Sequence, residues 1–568
     1  MDSDQVSASK KRRVEIYDTT LRDGAQGEGV SFSLRDKLLF TRRLIELGFD
    51  YIEGGYPASN EKDYRYFQEI RGIDAGRTKI CAFGMTRRKN VPVEHDAGLG
   101  KLISCGVEIA TIVGKASAFQ VECILQTSLE ENLAMVRDTI RFLRSRGLRV
   151  FFDAEHFFDG WKHNSACTWQ VIETAAEAGA EVIILCDTNG GSLPEEVGDI
   201  TREVVSRLRI PVGIHCHNDG DLAVANTLAA VDAGAVHVQG TINGLGERCG
   251  NADLISVIAN IALKKRGQYD VLNPQAVRQL TELSRFVYEL GNLNFRPQQP
   301  FVGRSAFAHK GGMHVSGVSR DSRAYEHIDP EWVGNERRVL VSELSGRSNI
   351  IARIRKYNLQ NEAALAEKIL AAVVSKEAEG YQYEAADGSF DLLVRRCADI
   401  FRPHFRRLNY HVDIRPDFVE GLKTEATVEL EVDGEILHVV AKGLGPVDAL
   451  DRAFRKALAP KYPNLHQMSL IDYKVRVINF EAHTAAKVRV LIESQDEEEV
   501  WGTVGVSENI IEASLIALME SYEYKLCKDD DRARNGMNRS TPAEEQASHT
   551  VANEPSEPLA ARSTVSGG

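Results

Sequence analysis

Short apolar runs rich in β-branched residues alternate with amphipathic stretches through the first half of the chain. The runs are VEIYD at 14, DYIEGG at 50, KICAFG at 79, VEIATIV at 107, RVFFDAE at 149, EVIILCD at 181, PVGIHCH at 211 and VHVQGTI at 236. Between them, RDKLLFTRRLIELG and LEENLAMVRDTIRFLRSRG place apolar residues at helical spacing and end in glycine, as helices do. The pattern predicts a βα unit repeated eight times. Its length of roughly 250 residues suits a (β/α)8 TIM barrel of the α/β class, which a doubly wound sheet of eight strands would imitate. Polar residues separate the two. Asp18, Glu53, Thr86, Lys115, Glu155, Asp187 with Thr188, and His215 with His217 stand near the C-terminal ends of the runs. A closed barrel brings all those ends to one face, where a single site can draw on them. A barrel over residues 14–265 is therefore expected.

From 266 to 395 the chain reads as helical linker subdomains without clear strands. From 396 to 526 a weak repeat appears: TVELEVDGEILHVVAKGLGPVDALDRAFRKAL is echoed by KVRVLIESQDEEEVWGTVGVSENIIEASLIALMESY. Each copy reads as a hairpin followed by a helix, a ββα unit, and two such units suit a small α+β domain that pairs or senses a ligand. No aromatic follows Tyr524, and 527–568 is polar with small residues. That stretch and residues 1–13 are expected to be disordered tails.

Composition narrows the class. With 568 residues, 43% hydrophobic and 27% charged, the chain has room for two or three domains with a large core. A formal net charge of -13 and pI near 5.7 argue against nucleic-acid and anionic-membrane partners. Nine cysteines without a CxxC pair read as reduced thiols of a cytoplasmic protein, not as a disulfide framework or structural zinc site. No apolar run approaches the ~20 residues of a spanning helix.

Candidate chemistry concentrates at the strand ends. His215 and His217, two apart on a predicted strand, leave the same face and can reach one metal ion; two hydrogen-bonded structural histidines would read the same way. Opposite them, in DTTLRDG, Asp23 can supply a carboxylate oxygen and Arg22 a planar fork for the carboxylate of a 2-oxo acid, although RDG is also a common salt-bridged turn. Asn251, in NGLGERCGNADL, can add a carbonyl oxygen, with glycines allowing close approach. Two imidazoles and two oxygens with open positions suit a catalytic divalent cation better than a sealed zinc.

DTTLRDGAQ, HCHND, GLGERCGNA and AFAHKGGMH together resemble the 2-isopropylmalate synthase and homocitrate synthase group of the DRE-TIM metallolyase superfamily. Within that group DTTLRDGAQGEGVSFS, DAEHFFDG, CDTNGG, QGTINGLGERCGN, VGRSAFAHKGGMHVS and HIDPEWVGNERRVLVSELSGRSN resemble the citramalate synthase branch. The resemblance spans about residues 14–526. It implies a metal-dependent acyltransferase that condenses acetyl-CoA with pyruvate and water to give citramalate and CoA, on the way to isoleucine. The implied cation is Mg2+ or Mn2+, with Zn2+ as an alternative. Implied roles are metal ligation by Asp23, His215, His217 and Asn251, anchoring of the 2-oxo acid by Arg22 and Thr188, and proton transfer by Glu155, His314 and Tyr325. Tyr325 lies in the linker, which suits service to a neighbouring subunit of a homodimer. The C-terminal repeat resembles a regulatory domain, with isoleucine as the implied inhibitor and a plain dimerisation module as the alternative.

Three stretches depart from the group's pattern: YPASN at 56, Met85, and KASAFQV at 115. All lie near barrel-mouth loops, so they bear on pocket shape and acyl-CoA contacts more than on metal chemistry. A 2-isopropylmalate or homocitrate synthase would use the same site with a longer 2-oxo acid. A lyase of the 3-hydroxy-3-methylglutaryl-CoA type would not need the C-terminal repeat. A non-catalytic amino-acid sensor would be marked by loss of a ligand or of Glu155, and all are present.

Overall fold

The computed structural model describes residues 11–265, 267–340, 350–351, 354, 362–417, 421–478 and 486–539. Eight parallel strands close into a barrel: β1 Glu15–Asp18, β2 Tyr51–Glu53, β3 Lys79–Met85, β4 Ile109–Lys115, β5 Arg149–Glu155, β6 Val182–Asp187, β7 Val212–Cys216 and β8 His237–Gly240. Closure comes from β1, which pairs β2 (Tyr17 beside Tyr51) and β8 (Glu15 beside His237). The intervening helices start where side chains satisfy their first N–H groups. Ser33 and Asp36 form a reciprocal capping box on Leu34–Leu47, and Asn60, Asp96 and Ser128 cap the next three.

Both faces of each strand are buried, as a parallel sheet under helices requires. One set (Ile16, Ile52, Ala82, Ala110, Phe152, Ile214) packs against the helices. The alternate set fills the barrel, where Tyr17, Tyr51, Cys81, Ile109, Phe151 and Ile184 form a separate apolar plug. Two residues further along the same inner face, the side chains become polar: Glu53, Thr111, Asp153, His215 and Gln239, all buried. The site thus rests on an apolar floor built from the same strands.

The described residues divide into two units, 11–309 with 317–338, and 310–316 with those from 339 onward. In the second, strands β9 Arg406–Asp417, β10 Gly421–Val432 and β11 Glu435–Gly443 form one antiparallel sheet, followed by helix Pro446–Leu458. Strands β12 Ser469–Val477, β13 Val488–Gln495 and β14 Val500–Ser507 form another, followed by helix Ile510–Arg539. The repeat is therefore βββα, not the expected ββα. Its first strand hides in RRLNYHVDIRPD, where only alternate residues such as Tyr410 and Val412 pack on the core.

Two further expectations are corrected. Two-residue strands Ala308–His309 and Arg338–Val339 interrupt the stretch read as helices and loops. The last helix continues past 526 to Arg539 because its charges are paired: Lys525 with Asp529 at 2.7 Å, Lys528 with Asp496 at 2.6 Å, Arg395 with Asp531 at 2.5 Å. At the other end Arg12–Arg13 pairs in parallel with Tyr269–Asp270. The rest of both predicted tails, 1–10 and 540–568, lies outside the described residues. All nine cysteines are free. Among the described residues no helix is long and apolar enough to cross a membrane.

Candidate active site

At the C-terminal mouth of the barrel a cleft of about 560 Å³ is lined by residues of the first unit. His215 ends its side chain beside His217, with the two Nε2 atoms 3.4 Å apart. Asp23, in the loop after β1, brings Oδ2 to 3.3 Å from His215 and 3.8 Å from His217. Asn251 is bridged to His217 through the backbone; its Nδ2 donates to the Leu245 carbonyl at 3.0 Å, while its buried Oδ1 receives no donor. Nitrogen lone pairs and a carboxylate within 4.8 Å of one another are what a shared divalent cation would satisfy, and the orphaned Asn251 oxygen belongs to the residue bridged to His217. The donor set fits such an ion. Two glycines make the loop possible: a Cβ on Gly250 (φ +86°) would lie 1.9 Å from the Gly244 carbonyl, and one on Gly246 (φ +151°) 2.3 Å from Asn251 Nδ2.

Buried groups behind the donors fix their orientation. His215 Nδ1–H donates to Gln239 Oε1 at 3.0 Å, leaving Nε2 for the cleft, and Gln239 Nε2 donates to Asp153 Oδ1 at 3.0 Å. Such outer partners set the tautomer of a metal-binding imidazole. Arg22 donates through Nε to Glu53 at 2.6 Å and lies 4.0 Å over the Phe83 ring. Glu53, fully buried, also accepts from the Tyr17 hydroxyl at 2.8 Å and the Thr19 hydroxyl at 2.5 Å. Arg22, with Nε occupied and its plane held by Phe83, lines the cleft, its Nη1 3.7 Å from Asp23 Oδ1.

Thr188 and Glu155 line the same cleft. The Thr188 hydroxyl accepts the His156 N–H at 2.8 Å, which leaves its own proton to donate, and its carbonyl accepts from Arg248 at 2.7 Å. Glu155 is ion-paired with Lys115 at 2.5 Å. Of the departures noted in the sequence, Tyr56 and Met85 border the cleft.

Neighbouring charges move the donors in different directions: burial works to lower His215, but Asp23 and Asp153 outweigh it and favour its protonated form. Burial works to raise the Asp23 carboxyl, but Arg22 and the two imidazoles outweigh it and hold the group well below the usual carboxylate range. Burial and then the neighbouring His215 push His217 down to about 4, so its imidazole is neutral near pH 7. Asp153 moves the other way, to about 7, through burial and the charge of Glu53.

The structure thus gathers Arg22, Asp23, Glu155, Thr188, His215 and His217 around one mouth, with Asn251 bridged to His217 beside it. His314 and Tyr325 are not among the cleft's lining residues. His314 falls in 310–316, with the second unit, and Tyr325 is 44% exposed with its ring over Gly317. Sequence reasoning missed Gln239 and Asp153. The available signal was a glutamine inside the apolar run VHVQGTI, which pairs with His215 across β7 and β8.

Comparison with known proteins places the chain among families. Residues 13–287 match the HMGL-like family, 301–380 the homocitrate synthase post-HMGL domain-like family, and 384–526 the LeuA allosteric (dimerisation) domain. The chain is 49% identical over 523 residues to an (R)-citramalate synthase of Aquifex aeolicus, covering 91% of this chain and 99% of that one. It is 48% identical over 521 residues to an (R)-citramalate synthase of Geobacter sulfurreducens, covering 91% and 98%. To a probable 2-isopropylmalate synthase of Methanopyrus kandleri it is 33% identical over 511 residues, covering 89% and 97%.

Proposed function

Because the chain belongs to the citramalate synthase family, we propose that its barrel condenses acetyl-CoA with pyruvate and water to give (R)-citramalate and CoA. The observation that carries this reading is one cleft holding both a cation-binding donor set (Asp23, His215, His217), with Asn251 bridged to His217, and an anchor for a small 2-oxo acid (Arg22, Thr188). When bound, a divalent cation, Mg2+ or Mn2+ before Zn2+, supplies Lewis-acid polarisation of the keto group. Arg22, held by Glu53 and Phe83, offers parallel N–H donors to the pyruvate carboxylate, and the Thr188 hydroxyl adds a further donor. Glu155 takes a proton from the acetyl methyl group. The resulting enolate carbon attacks C2 of pyruvate, the new C2 oxygen is protonated, and water cleaves the thioester to release CoA. The resemblance assigns His314 and Tyr325 to these proton transfers, Tyr325 from the neighbouring subunit of a homodimer.

For residues 384–526 we propose dimerisation and inhibition by isoleucine. Apolar side chains on a strand face turned away from the helix support a pairing surface: Ile436 and Val440 on β11 are each more than a third exposed, while Leu437 and Val439 pack on the core. The reading places the enzyme in the cytoplasm.

Thiol release from acetyl-CoA tests the assignment, with Mg2+ or Mn2+ and a panel of pyruvate, 2-oxobutyrate, 2-oxoisovalerate and 2-oxoglutarate, before and after chelation. Metal-dependent release led by pyruvate is expected. A longer acid in the lead would move the chain to the 2-isopropylmalate or homocitrate branch, and turnover surviving exhaustive chelation would remove the cation from the reading.

A further inference from the structure

A second cluster of metal-binding side chains stands in the second unit. Glu523 and Cys527 are one turn apart on helix Ile510–Arg539, so they share a face. His404 precedes β9 and reaches them from another part of the chain. One ligand atom from each of the three lies within 4.8 Å of the others. Glu523 and Cys527 are 6% and 5% exposed, and the His404 side chain 12%. His404 is held at both ends of its backbone: its N–H donates to Glu523 at 3.0 Å, and its carbonyl accepts the Tyr462 hydroxyl at 3.2 Å. Its ring packs edge-on against Tyr462, with centroids 5.7 Å apart.

Around the imidazole, Nδ1 stands 2.9 Å from Glu523 Oε2 and Nε2 3.2 Å from Asp530 Oδ2. The Cys527 thiol also lies within hydrogen-bonding reach of the same imidazole, so all three donors meet at one place. Thiolate, imidazole and carboxylate together are the donors of a borderline-soft cation, and Mg2+, which prefers oxygen, would be poorly served by them. A water can complete four-coordination. Little ordering is needed, because two ligands sit on one helix face and the third on a fixed backbone.

We propose that His404, Glu523 and Cys527 form a second divalent-cation site, selective for zinc-like ions, that clips the C-terminal helix to the start of β9. Binding releases the thiol proton and the proton on the ligating imidazole nitrogen, so the exchange is cation for protons and needs no redox partner.

Co2+ is the probe, applied to the full-length chain, because a cobalt–thiolate bond adds a near-ultraviolet charge-transfer absorption that oxygen and nitrogen ligands do not give. Equilibrium dialysis should find two cobalt equivalents per wild-type chain, one in Cys527→Ser and one in His215→Ala. The thiolate absorption should be present in wild type and in His215→Ala, and absent in Cys527→Ser. Either a wild-type spectrum without that absorption, or an absorption that survives Cys527→Ser, overturns the proposal, the second by placing the thiolate near the barrel, where Cys186 borders the cleft. If Cys527→Ser does not melt cooperatively, His404→Gln takes its place. It should lower cobalt affinity at least tenfold while leaving the count at the barrel at one, and unchanged affinity would overturn the site.

Discussion

Replacing Gln239 with leucine isolates how much the barrel's buried polar layer contributes to cation binding. The side chain is 1% exposed and inward-facing, and leucine keeps its approximate volume while deleting two hydrogen bonds. Without the first, His215 can rotate and place its proton on Nε2, so part of the population loses the lone pair that faces Asp23. Outer partners of metal-bound histidines are worth about 10–100-fold in metal affinity, or ~1.4–2.7 kcal/mol. Without the second, Asp153 keeps its burial and loses a donor. Its carboxyl is already raised to about 7, so it responds by holding a proton longer, and stability should fall less than affinity. The assay is thiol release against Mn2+ concentration, with a thermal melt alongside. The half-saturating metal concentration should rise about 10–100-fold, while the rate at saturating metal stays near wild type. A native melt with unchanged metal half-saturation in Gln239→Leu would refute the tautomer argument.

Other perturbations test separate links. Glu155→Gln keeps size and polarity but cannot take the methyl proton; turnover should drop about 10²–10⁴-fold with pyruvate KM little changed, and an unaltered rate removes Glu155 from the chemistry. Gly250→Ala puts a Cβ 1.9 Å from the Gly244 carbonyl at a left-handed position, which alone costs ~1–2 kcal/mol. The loop carrying Asn251 must shift, so metal titration should show weaker binding; wild-type affinity would mean that Asn251 is not a ligand. Asp18, fully buried, is raised from 3.8 to about 7 by burial against the hydrogen bonds from Thr20. Its native form holds a proton that the unfolded chain has lost between those values, so its contribution to stability falls as pH rises from about 4 to 7. Asp18→Asn removes that slope, and its melting temperature should gain on wild type between pH 5 and pH 8; parallel curves would show that Asp18 titrates normally.

What could be read from the sequence, and what could not, follows from how far apart the explanatory residues lie. The barrel was legible because each apolar run and each amphipathic stretch is local, and the strand-end polar residues were legible because a closed barrel has only one mouth. His215 and His217 carried their own spacing. Gln239 and Asp153 did not, since in a parallel sheet both strand faces are apolar. RVFFDAE therefore gives no alternation to say whether Phe151 or Phe152 points inward. Only closure of the sheet assigns Phe151 to the plug, and with it Asp153 and Glu155 to the layers above. The same distance hides the end of the last helix. KDDDR reads as solvated tail because a local window counts Lys528 and Asp531 as charge. Their partners Asp496 and Arg395 stand on other elements of the fold, and a charge paired across the fold favours helix where an unpaired one favours solvent.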